Sequence, residues 1–291
     1  MPGLASLCSC GFATTGRPSI LAGMTPPLDL ASSRLLVTGA SSGIGAEIAR
    51  ATARSGAELV LVARRGDRLE ALAGELSSLG ARAVTTVLAD LGETTAFDTI
   101  VREAGDPIDI LVNNAGIGDM ASFTDTPPDL VGRMIDVNVT THCRLTRHYT
   151  PGMIERRKGG VLTIASVAGL LPAPYMSLYG ATKAFLVSFS SALHQELAGT
   201  GVGVSCVCPG PVKTEFFDAN RMNVDDDLVA GAASAGEVAA FALEALARNQ
   251  AVAVPGLGNR IRALVPSLMP RRLSGWLARR VMEKRMAAGR S

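Results

Sequence analysis

Short apolar runs alternate with longer stretches of helical periodicity from residue 33 onward. The short runs are almost continuously apolar, which is typical of parallel strands that are covered on both faces. They lie at residues 35–38, 58–63, 83–88, 108–113, 160–166, 203–208 and 251–255. The periodic stretches predict helices at about 43–55, 66–79, 93–105, 128–156, 178–199 and 234–248, the last opened by a capping box of Ser234 and Glu237. This alternation predicts an α/β protein with one doubly wound, seven-stranded parallel sheet and helices on both faces.

One domain accounts for most of the chain, and we place it at residues 33–256. Residues 1–32 are rich in Gly, Ser, Thr and Pro and lack the basic and apolar segments of a secretory signal. We expect them to be disordered or an extension, with Met24 as an alternative start. Residues 257–291 form a basic C-terminal extension. No apolar run approaches the ~18 residues that a membrane span needs, which argues against an integral membrane protein.

The composition excludes several classes of protein. Of 291 residues, 47% are hydrophobic and 19% are charged, which argues against a disordered, fibrous or disulfide-rich chain. The five cysteines have no spacing that suits a zinc site or a disulfide framework. We therefore expect a reducing, cytoplasmic setting and no metal site.

Charge is distributed unevenly, although the formal net charge is only +2. Residues 260–291 contain nine basic side chains and one acid, whereas residues 1–259 contain 19 basic and 25 acidic side chains. The tail also carries an apolar stripe, made of Leu264, Val265, Leu268, Met269, Leu273, Trp276, Leu277 and Val281. Such a segment predicts either packing against this or a neighbouring subunit, or peripheral contact with a membrane surface. Nucleic-acid binding is not expected, because stacking aromatics are not interleaved with the basic residues.

A glycine-rich turn follows the first predicted strand and leads into a helix. The residues expected to contact a cofactor here are Gly39, Ser41, Ser42, Gly43, Ile44 and Gly45. Glycines at such a turn let the backbone approach a pyrophosphate, which then lies at the helix N-terminus. The alternative is a tight turn without a ligand, and the position after the first strand of a doubly wound pattern argues against it.

The end of the second predicted strand indicates which dinucleotide is bound. An acidic residue there would accept hydrogen bonds from the ribose of NAD, but this chain has Ala63 followed by Arg64 and Arg65. Guanidinium groups suit the 2′-phosphate, so the sequence predicts NADP(H). The alternative is that these arginines are solvated at a helix start, and it is more favoured for Arg65 than for Arg64.

Four polar residues form a candidate catalytic set. Tyr179 and Lys183 are four residues apart on a predicted helix and share one face. Ser166 ends a strand, where ligands bind in open α/β sheets, and Asn138 lies in the long helix over 128–156. Each residue alone could be structural, as a helix-start, turn-forming or capping side chain.

The motifs together resemble the classical short-chain dehydrogenase/reductase family. TGxxxGxG, NNAG, the helical Asn, the strand-end Ser, YxxxK and a Pro-Gly pair occur in the family's order and spacing over about residues 33–256. The basic tail is similar to the extension of a DltE-like subgroup. The resemblance implies a single-domain Rossmann fold and a homo-dimer or tetramer that uses the long helices at 128–156 and 178–199.

The resemblance also implies a role for each member of the set. Tyr179 would act as the general acid in carbonyl reduction and as the base in the reverse direction. Lys183 would hold the nicotinamide ribose and favour the phenolate. Ser166 would hydrogen-bond the substrate oxygen, and Asn138 would hold a water that links Lys183 to solvent.

Further cofactor contacts are implied in the same way. Asp90 and Leu91 would contact the adenine. Asn113, Ala115 and Gly116 would line the cofactor, although Asn113 could instead brace the sheet. The segment after the sixth strand would wrap the nicotinamide end, through Pro209, Gly210, Val212 and Thr214.

The predicted function is NADP(H)-dependent interconversion of a hydrophobic ketone or aldehyde and its alcohol. Two apolar segments, residues 170–176 and 216–217, would line the substrate site, or would instead pack as a lid on the core. A polar segment at 218–233 is expected to be a flexible lid. Two alternatives stay open: a 3-oxoacyl-thioester reductase of lipid metabolism, and a cofactor-binding regulatory protein without activity.

Overall fold

Seven parallel strands form the central sheet of the computed structural model, which describes residues 29–220, 222, 231–261 and 268–288. The strands are β1 Arg34–Thr38, β2 Glu58–Ala63, β3 Ala83–Leu88, β4 Ile110–Asn113, β5 Gly159–Ile164, β6 Val202–Val207 and β9 Val252–Ala253. Their order is β3-β2-β1-β4-β5-β6-β9, and every pairing is parallel. Two short strands, β7 Val212–Lys213 and β8 Ala233–Ser234, pair outside the sheet. The single Rossmann fold with a seven-stranded sheet is confirmed.

Helices follow the strands as the periodicity predicts. They are α1 Gly43–Ala53, α2 Gly66–Ser78, α3 Ala96–Ala104, α4 Pro128–Ile135, α5 Thr141–Glu155, α6 Ser177–Glu196, α7 Phe216–Ala219, α8 Ala235–Ala247 and α9 Arg271–Ala288. The predicted helix over 128–156 is divided into α4 and α5 by a π-helical turn at Asp136–Thr140. A π-helical turn keeps the chain helical, so the periodic stretch predicts one continuous helix across it.

Both faces of the sheet are covered, which explains why the strands lack polar alternation. Leu35 and Val37 of β1 pack in one core cluster with α1, α2 and α8. Leu36, between them, packs in a second cluster with α3 and α5. All three side chains are fully buried. A central strand such as β1 must therefore be apolar on both sides, whereas the edge strand β3 is largely exposed.

The start of α8 confirms the predicted capping box. The Ser234 hydroxyl accepts a hydrogen bond from the Glu237 N–H at 3.2 Å, and Glu237 Oε2 accepts one from the Ser234 N–H at 2.8 Å. Two donors at the helix N-terminus are thereby satisfied.

The order of the strands reverses next to β1, since β2 follows on one side and β4 on the other. The loops after β1 and β4 lead to helices on opposite faces of the sheet. A crevice is therefore left between these loops at the carboxyl ends of the strands. None of the helices in the described part of the chain is both long and apolar enough to cross a bilayer. The proposed boundaries at residues 32 and 256 stay predictions, and residues 1–28 lie outside the described residues.

Candidate active site

A cavity of about 660 Å³ opens at the carboxyl edge of the sheet. One half is built from the glycine-rich turn and from the residues after β2, β3 and β4. The other half is largely apolar and comes from residues 171–174 and 216–217 and from α9. The cavity therefore combines a backbone-rich part near the strand ends with an apolar part farther out.

The glycine-rich turn fits closely against the loop after β4. Gly39 has a φ of +65°, and a Cβ at this position would lie 2.9 Å from the Cα of Ala115. A Cβ on Gly45 would lie 2.5 Å from Nδ2 of Asn114 and 2.6 Å from the carbonyl oxygen of Gly39. Ser42 caps α1 in an extended conformation without a side-chain hydrogen bond to the helix. The N–H groups of the first turn are thus left without a side-chain partner, as an anion site requires.

Thr38 and Asn114 join the ends of β1 and β4. The Thr38 hydroxyl accepts hydrogen bonds from the N–H groups of Asn114 and Ala115 at 3.0 and 3.1 Å, and donates to the Val112 carbonyl at 3.2 Å. In return, Asn114 Nδ2 donates to the carbonyls of Thr38 and Gly39 at 2.9 and 3.2 Å. These bonds hold the two loops that border the crevice.

Both arginines after β2 line the cavity, as expected of cofactor-binding residues. Arg65 is half-buried and donates hydrogen bonds to the hydroxyls of Ser41 and Ser42 at 3.0 and 2.8 Å. It also forms an ion pair with Glu215 at 3.0 Å. Arg64 is exposed. The sequence pattern made a solvated position more favoured for Arg65 than for Arg64, whereas Arg65 is the less exposed of the two because its distant partners are not visible in the local pattern. Which arginine contacts a 2′-phosphate stays a prediction.

Asp90 and Leu91 both line the cavity after β3. The Asp90 carboxylate pairs with Arg133 of α4 at 2.6 Å and accepts a hydrogen bond from the Gly92 N–H at 3.0 Å. The pKa of Asp90 is lowered, because these hydrogen bonds outweigh its partial burial. The carboxylate is therefore fixed and ionised at the cavity wall.

Tyr179 and Lys183 lie together at the floor of the cavity, both buried on α6. Lys183 Nζ donates to the Ile164 carbonyl at 2.9 Å and lies 5.8 Å from the centroid of the Tyr179 ring. Burial raises the pKa of Tyr179 to about 12, against an opposing hydrogen bond with Ser166. Burial likewise lowers the pKa of Lys183 to about 8. Burial thus shifts both groups toward their neutral forms, and Lys183 keeps its charge only below about pH 8.

Ser166 and Asn138 hold the loops around this pair. The Ser166 hydroxyl accepts a hydrogen bond from the Ala168 N–H at 3.1 Å, at the start of a 3₁₀ turn after β5. Asn138 is fully buried in the π-helical turn. Its Oδ1 accepts from the Ile117 N–H at 2.8 Å, and its Nδ2 donates to the Ile117 carbonyl and to Thr182 at 2.9 and 3.0 Å. Asn138 thus links the loop after β4 to α6.

Most of the sequence-predicted site residues meet in this one cavity. Those that line it are Gly39, Ser41, Ser42, Gly43, Ile44, Arg64, Arg65, Asp90, Leu91, Ala115, Gly116, Ser166, Tyr179, Lys183, Pro209, Gly210, Val212 and Thr214. Gly45, Asn113 and Asn138 do not line it. Asn113 is buried and donates to Thr146 at 2.9 Å, which supports the alternative that it braces the sheet.

Sequence reasoning missed several contributors to the cavity, among them Glu215 and α9. Glu215 binds Arg65 and Arg68 at the cavity wall, with Arg68 at 2.6 Å. Five residues of α9 line the apolar half, namely Ser274, Leu277, Ala278, Val281 and Met282. A four-residue spacing in the tail could have shown that they share a helix face, but nothing local shows what that face covers. The predicted lid over 218–233 includes residues 221 and 223–230, which lie outside the described part.

Comparisons with known proteins agree with this geometry. A family model described as short chain dehydrogenase matches residues 33–225. The very-long-chain 3-oxoacyl-CoA reductase of Anas platyrhynchos is 36% identical over 196 residues, which cover 65% of this chain and 63% of that protein. The proteins of the same name from Homo sapiens and Bos taurus are matched over 62% of their length. The chain thus spans less than two thirds of these relatives.

Two solved structures are similar over most of the chain. A short-chain dehydrogenase from Sphingobium yanoikuyae in complex with NADPH has a TM-score of 0.72 and 36% identity, over 79% of this chain and 90% of that one. A 7beta-hydroxysteroid dehydrogenase has a TM-score of 0.78 and 25% identity, over 86% of this chain and 99% of that one. The protein belongs to the short-chain dehydrogenase family, as its motifs predict. Membership of the DltE-like subgroup stays a prediction.

Replacement of Gly45 by Ala tests the close packing of the turn. Because the new Cβ would meet Asn114 and Gly39, Gly45→Ala should lower the free energy of unfolding by about 1–3 kcal/mol and weaken NADPH binding. Gly74→Ala, in α2 with no atom within 4 Å of the added Cβ, is the matched control and should stabilise by up to about 1 kcal/mol. Thermal unfolding and calorimetric titration measure both effects. Equal stability of the two variants would contradict the packing argument.

Proposed function

We propose that the protein is an NADP(H)-dependent oxidoreductase that interconverts a hydrophobic carbonyl compound and its alcohol. The observation that carries the proposal is the convergence of Tyr179, Lys183 and Ser166 on the cavity that also contains the glycine-rich turn. A non-catalytic regulatory protein of the same fold would have no need for a buried phenol beside a buried amine, since burying an ionisable group costs stability.

The cavity fits a dinucleotide at its backbone-rich end. The tight approach at Gly39 and the α1 N-terminus without a side-chain cap suit a pyrophosphate. Arg65, aimed at Ser41 and Ser42 beside this turn, together with Arg64 at the rim, suits a 2′-phosphate. The NADPH complex of the Sphingobium yanoikuyae dehydrogenase supports the same cofactor.

When bound beside Tyr179, NADPH would supply the hydride for the carbonyl carbon. The Tyr179 phenol, protonated because of its burial, donates its proton to the carbonyl oxygen. The Ser166 hydroxyl hydrogen-bonds the same oxygen and orients it. Lys183, when charged, stabilises the phenolate that Tyr179 becomes and holds the nicotinamide ribose.

Asn138 acts through the loops that it holds. Its amide is already bonded to Ile117 and Thr182, so it fixes the main chain beside Lys183. A water held here would return a proton to Lys183 from solvent. Asp90 and Leu91 would contact the adenine, and Pro209, Gly210, Val212 and Thr214 would enclose the nicotinamide end.

A bulky apolar substrate is supported by the outer half of the cavity. Its wall is formed by Leu171, Pro172, Phe216 and Phe217 together with α9. Two similar proteins, a very-long-chain 3-oxoacyl-CoA reductase and a 7beta-hydroxysteroid dehydrogenase, are named for large apolar substrates. The second candidate is therefore a 3-oxoacyl-thioester reductase of lipid metabolism, favoured by the relatives of that name. A cytoplasmic homo-dimer or tetramer stays a prediction.

Tyr179→Phe is the decisive test of the chemistry. Without a proton donor at this position, kcat for reduction of a hydrophobic ketone should fall by about 10²–10⁴-fold. NADPH binding, measured by calorimetric titration, should be retained because the ring still packs on Phe216. Full turnover in this variant would refute the role of Tyr179, and the loss of NADPH binding would indicate a structural defect.

Arg65→Ala tests the cofactor preference. Loss of the guanidinium should raise the NADPH Kd by about tenfold or more, as expected for a charge-assisted contact, while the NADH Kd changes much less. Arg64→Ala should have the smaller effect of the two, because Arg64 is exposed at the rim. Arg102→Ala, on the distant α3, removes the same charge as a control. A similar loss for both cofactors would contradict the 2′-phosphate assignment.

The pH dependence of reduction should report Lys183. Its pKa of about 8 means that the free enzyme loses this charge as pH rises, whereas Tyr179 stays protonated to about pH 12. The value of kcat/KM for NADPH should therefore fall above about pH 8. In Lys183→Arg the charge persists, so the activity that remains should not fall there. A decline at the same pH in both proteins would assign the titration to another group.

A further inference from the structure

The C-terminal helix α9 forms a wall of the substrate half of the cavity. Ser274, Ala278 and Met282 recur every four residues, share one face of the helix and line the cavity. Ser274 is only 4% exposed. The tail is therefore part of the candidate active site and packs against its own subunit.

A small set of contacts holds α9 in place. The Tyr175 hydroxyl donates a hydrogen bond to Glu283 at 3.0 Å, and Arg279 donates to the same carboxylate oxygen at 2.7 Å. Both partners lower the pKa of Glu283. Gly275 lies over Pro172, with its Cβ position 3.9 Å from that ring. The helix thus rests on the loop after β5, which lines the same half of the cavity.

The outward face of α9 is apolar and exposed. Leu273 is 45% exposed, Trp276 is 54% exposed, and the Arg280 guanidinium lies 5.5 Å from the centroid of the Trp276 ring. Leu277 and Val281 are 38% and 49% exposed and also line the cavity. The same side chains therefore border both the cavity and the exposed stripe, so the cavity mouth opens beside this apolar surface.

The basic charge of α9 indicates which kind of partner its exposed face would bind. The sequence of α9 contains six basic residues and one acid, and that acid, Glu283, is already paired. Residues 1–259 carry an excess of six acidic side chains. An anionic surface would attract the helix and repel the rest of the molecule, which orients the helix toward it. A second copy of this chain would instead bring two strongly basic helices together.

We propose that the exposed face of α9 docks on an anionic lipid surface, with the cavity mouth facing the lipid. A basic amphipathic helix with an exposed Trp is suited to the membrane interface, where its apolar side chains lie at the boundary of head groups and acyl chains. An apolar substrate dissolved in the lipid then enters past Leu277 and Val281 without crossing water. The docking itself does not depend on the redox chemistry, and only this route of entry rests on the proposed function.

Trp276 is the single Trp of the chain and reports directly on docking. The full-length protein is mixed with vesicles of phosphatidylcholine alone, or with roughly 30% phosphatidylglycerol, at roughly 0.1 M salt. We expect a blue shift of Trp276 emission and co-sedimentation only with the anionic vesicles. Both signals should weaken by about tenfold or more at roughly 0.5 M salt. Equal binding to neutral vesicles, or no binding to anionic ones, would overturn the proposal.

Two variants assign the binding to α9. Leu273→Ser removes part of the apolar stripe, and the double variant Arg280→Gln with Lys284→Gln removes two charges. None of these three residues lines the cavity. Each should weaken vesicle binding by about fivefold or more. The controls are Phe123→Ser, an exposed aromatic elsewhere, and Arg102→Gln with Arg248→Gln, which remove two exposed charges from α3 and the end of α8. Equal loss in variants and controls would overturn the assignment to α9.

Light scattering and NADPH titration complete the test. If Leu273→Ser changes the mass of the protein in solution and leaves vesicle binding unchanged, the face is a contact between copies and the lipid proposal is wrong. NADPH should bind all these variants with unchanged Kd. Because NADPH binding and turnover are measured separately, failure of docking is distinguished from failure of the proposed oxidoreductase activity.

Discussion

The Thr38 hydroxyl accepts hydrogen bonds from two main-chain N–H groups of the loop after β4. This contact lies at the point where the strand order reverses. Asn114 returns two hydrogen bonds to the end of β1. Because these hydrogen-bonding groups satisfy each other, the loops after β1 and β4 are held close together. Only glycine then fits at positions 39 and 45. The crevice for the cofactor exists because this joint holds its borders in place. A Cβ at position 39 or 45 would collide with atoms of these two loops.

A second constraint acts on the groups that would transfer the proton. Tyr179 and Lys183 are both buried, and burial shifts their pKa values to about 12 and about 8 respectively. Desolvation therefore works against the phenolate and against the ammonium alike. A charge that favours the phenolate has to come from Lys183 in its protonated form or from the bound cofactor. The site thus keeps a proton on Tyr179 until a substrate and cofactor fill the cavity, which suits a general acid.

The sequence predicts the strands and most helices to within a few residues, because continuous apolar runs and helical periodicity are local properties. The predictions for Ser166, Tyr179 and Lys183 also place them in one cavity, since strand ends and a four-residue helix spacing define where side chains point. The partial burial of Arg65 could not be predicted, because its partner Glu215 is 150 residues away in sequence. Two adjacent arginines can be distinguished only by such contacts with residues distant in sequence.

The C-terminal tail likewise shows what local sequence cannot predict. Its stripe and charge were visible, but an amphipathic pattern states only that one face must be covered, not by what. In the structure one face of α9 lines the cavity, and the neighbouring apolar stripe is exposed. The cofactor half of the site is thus built from strand ends and the joint at Thr38, which tolerate little change. The substrate half comes from residues 171–174, residues 216–217 and α9, none of which belongs to a strand of the central sheet. A change in α9 would therefore alter the proposed substrate site and the proposed docking face together, while Tyr179 lies on α6.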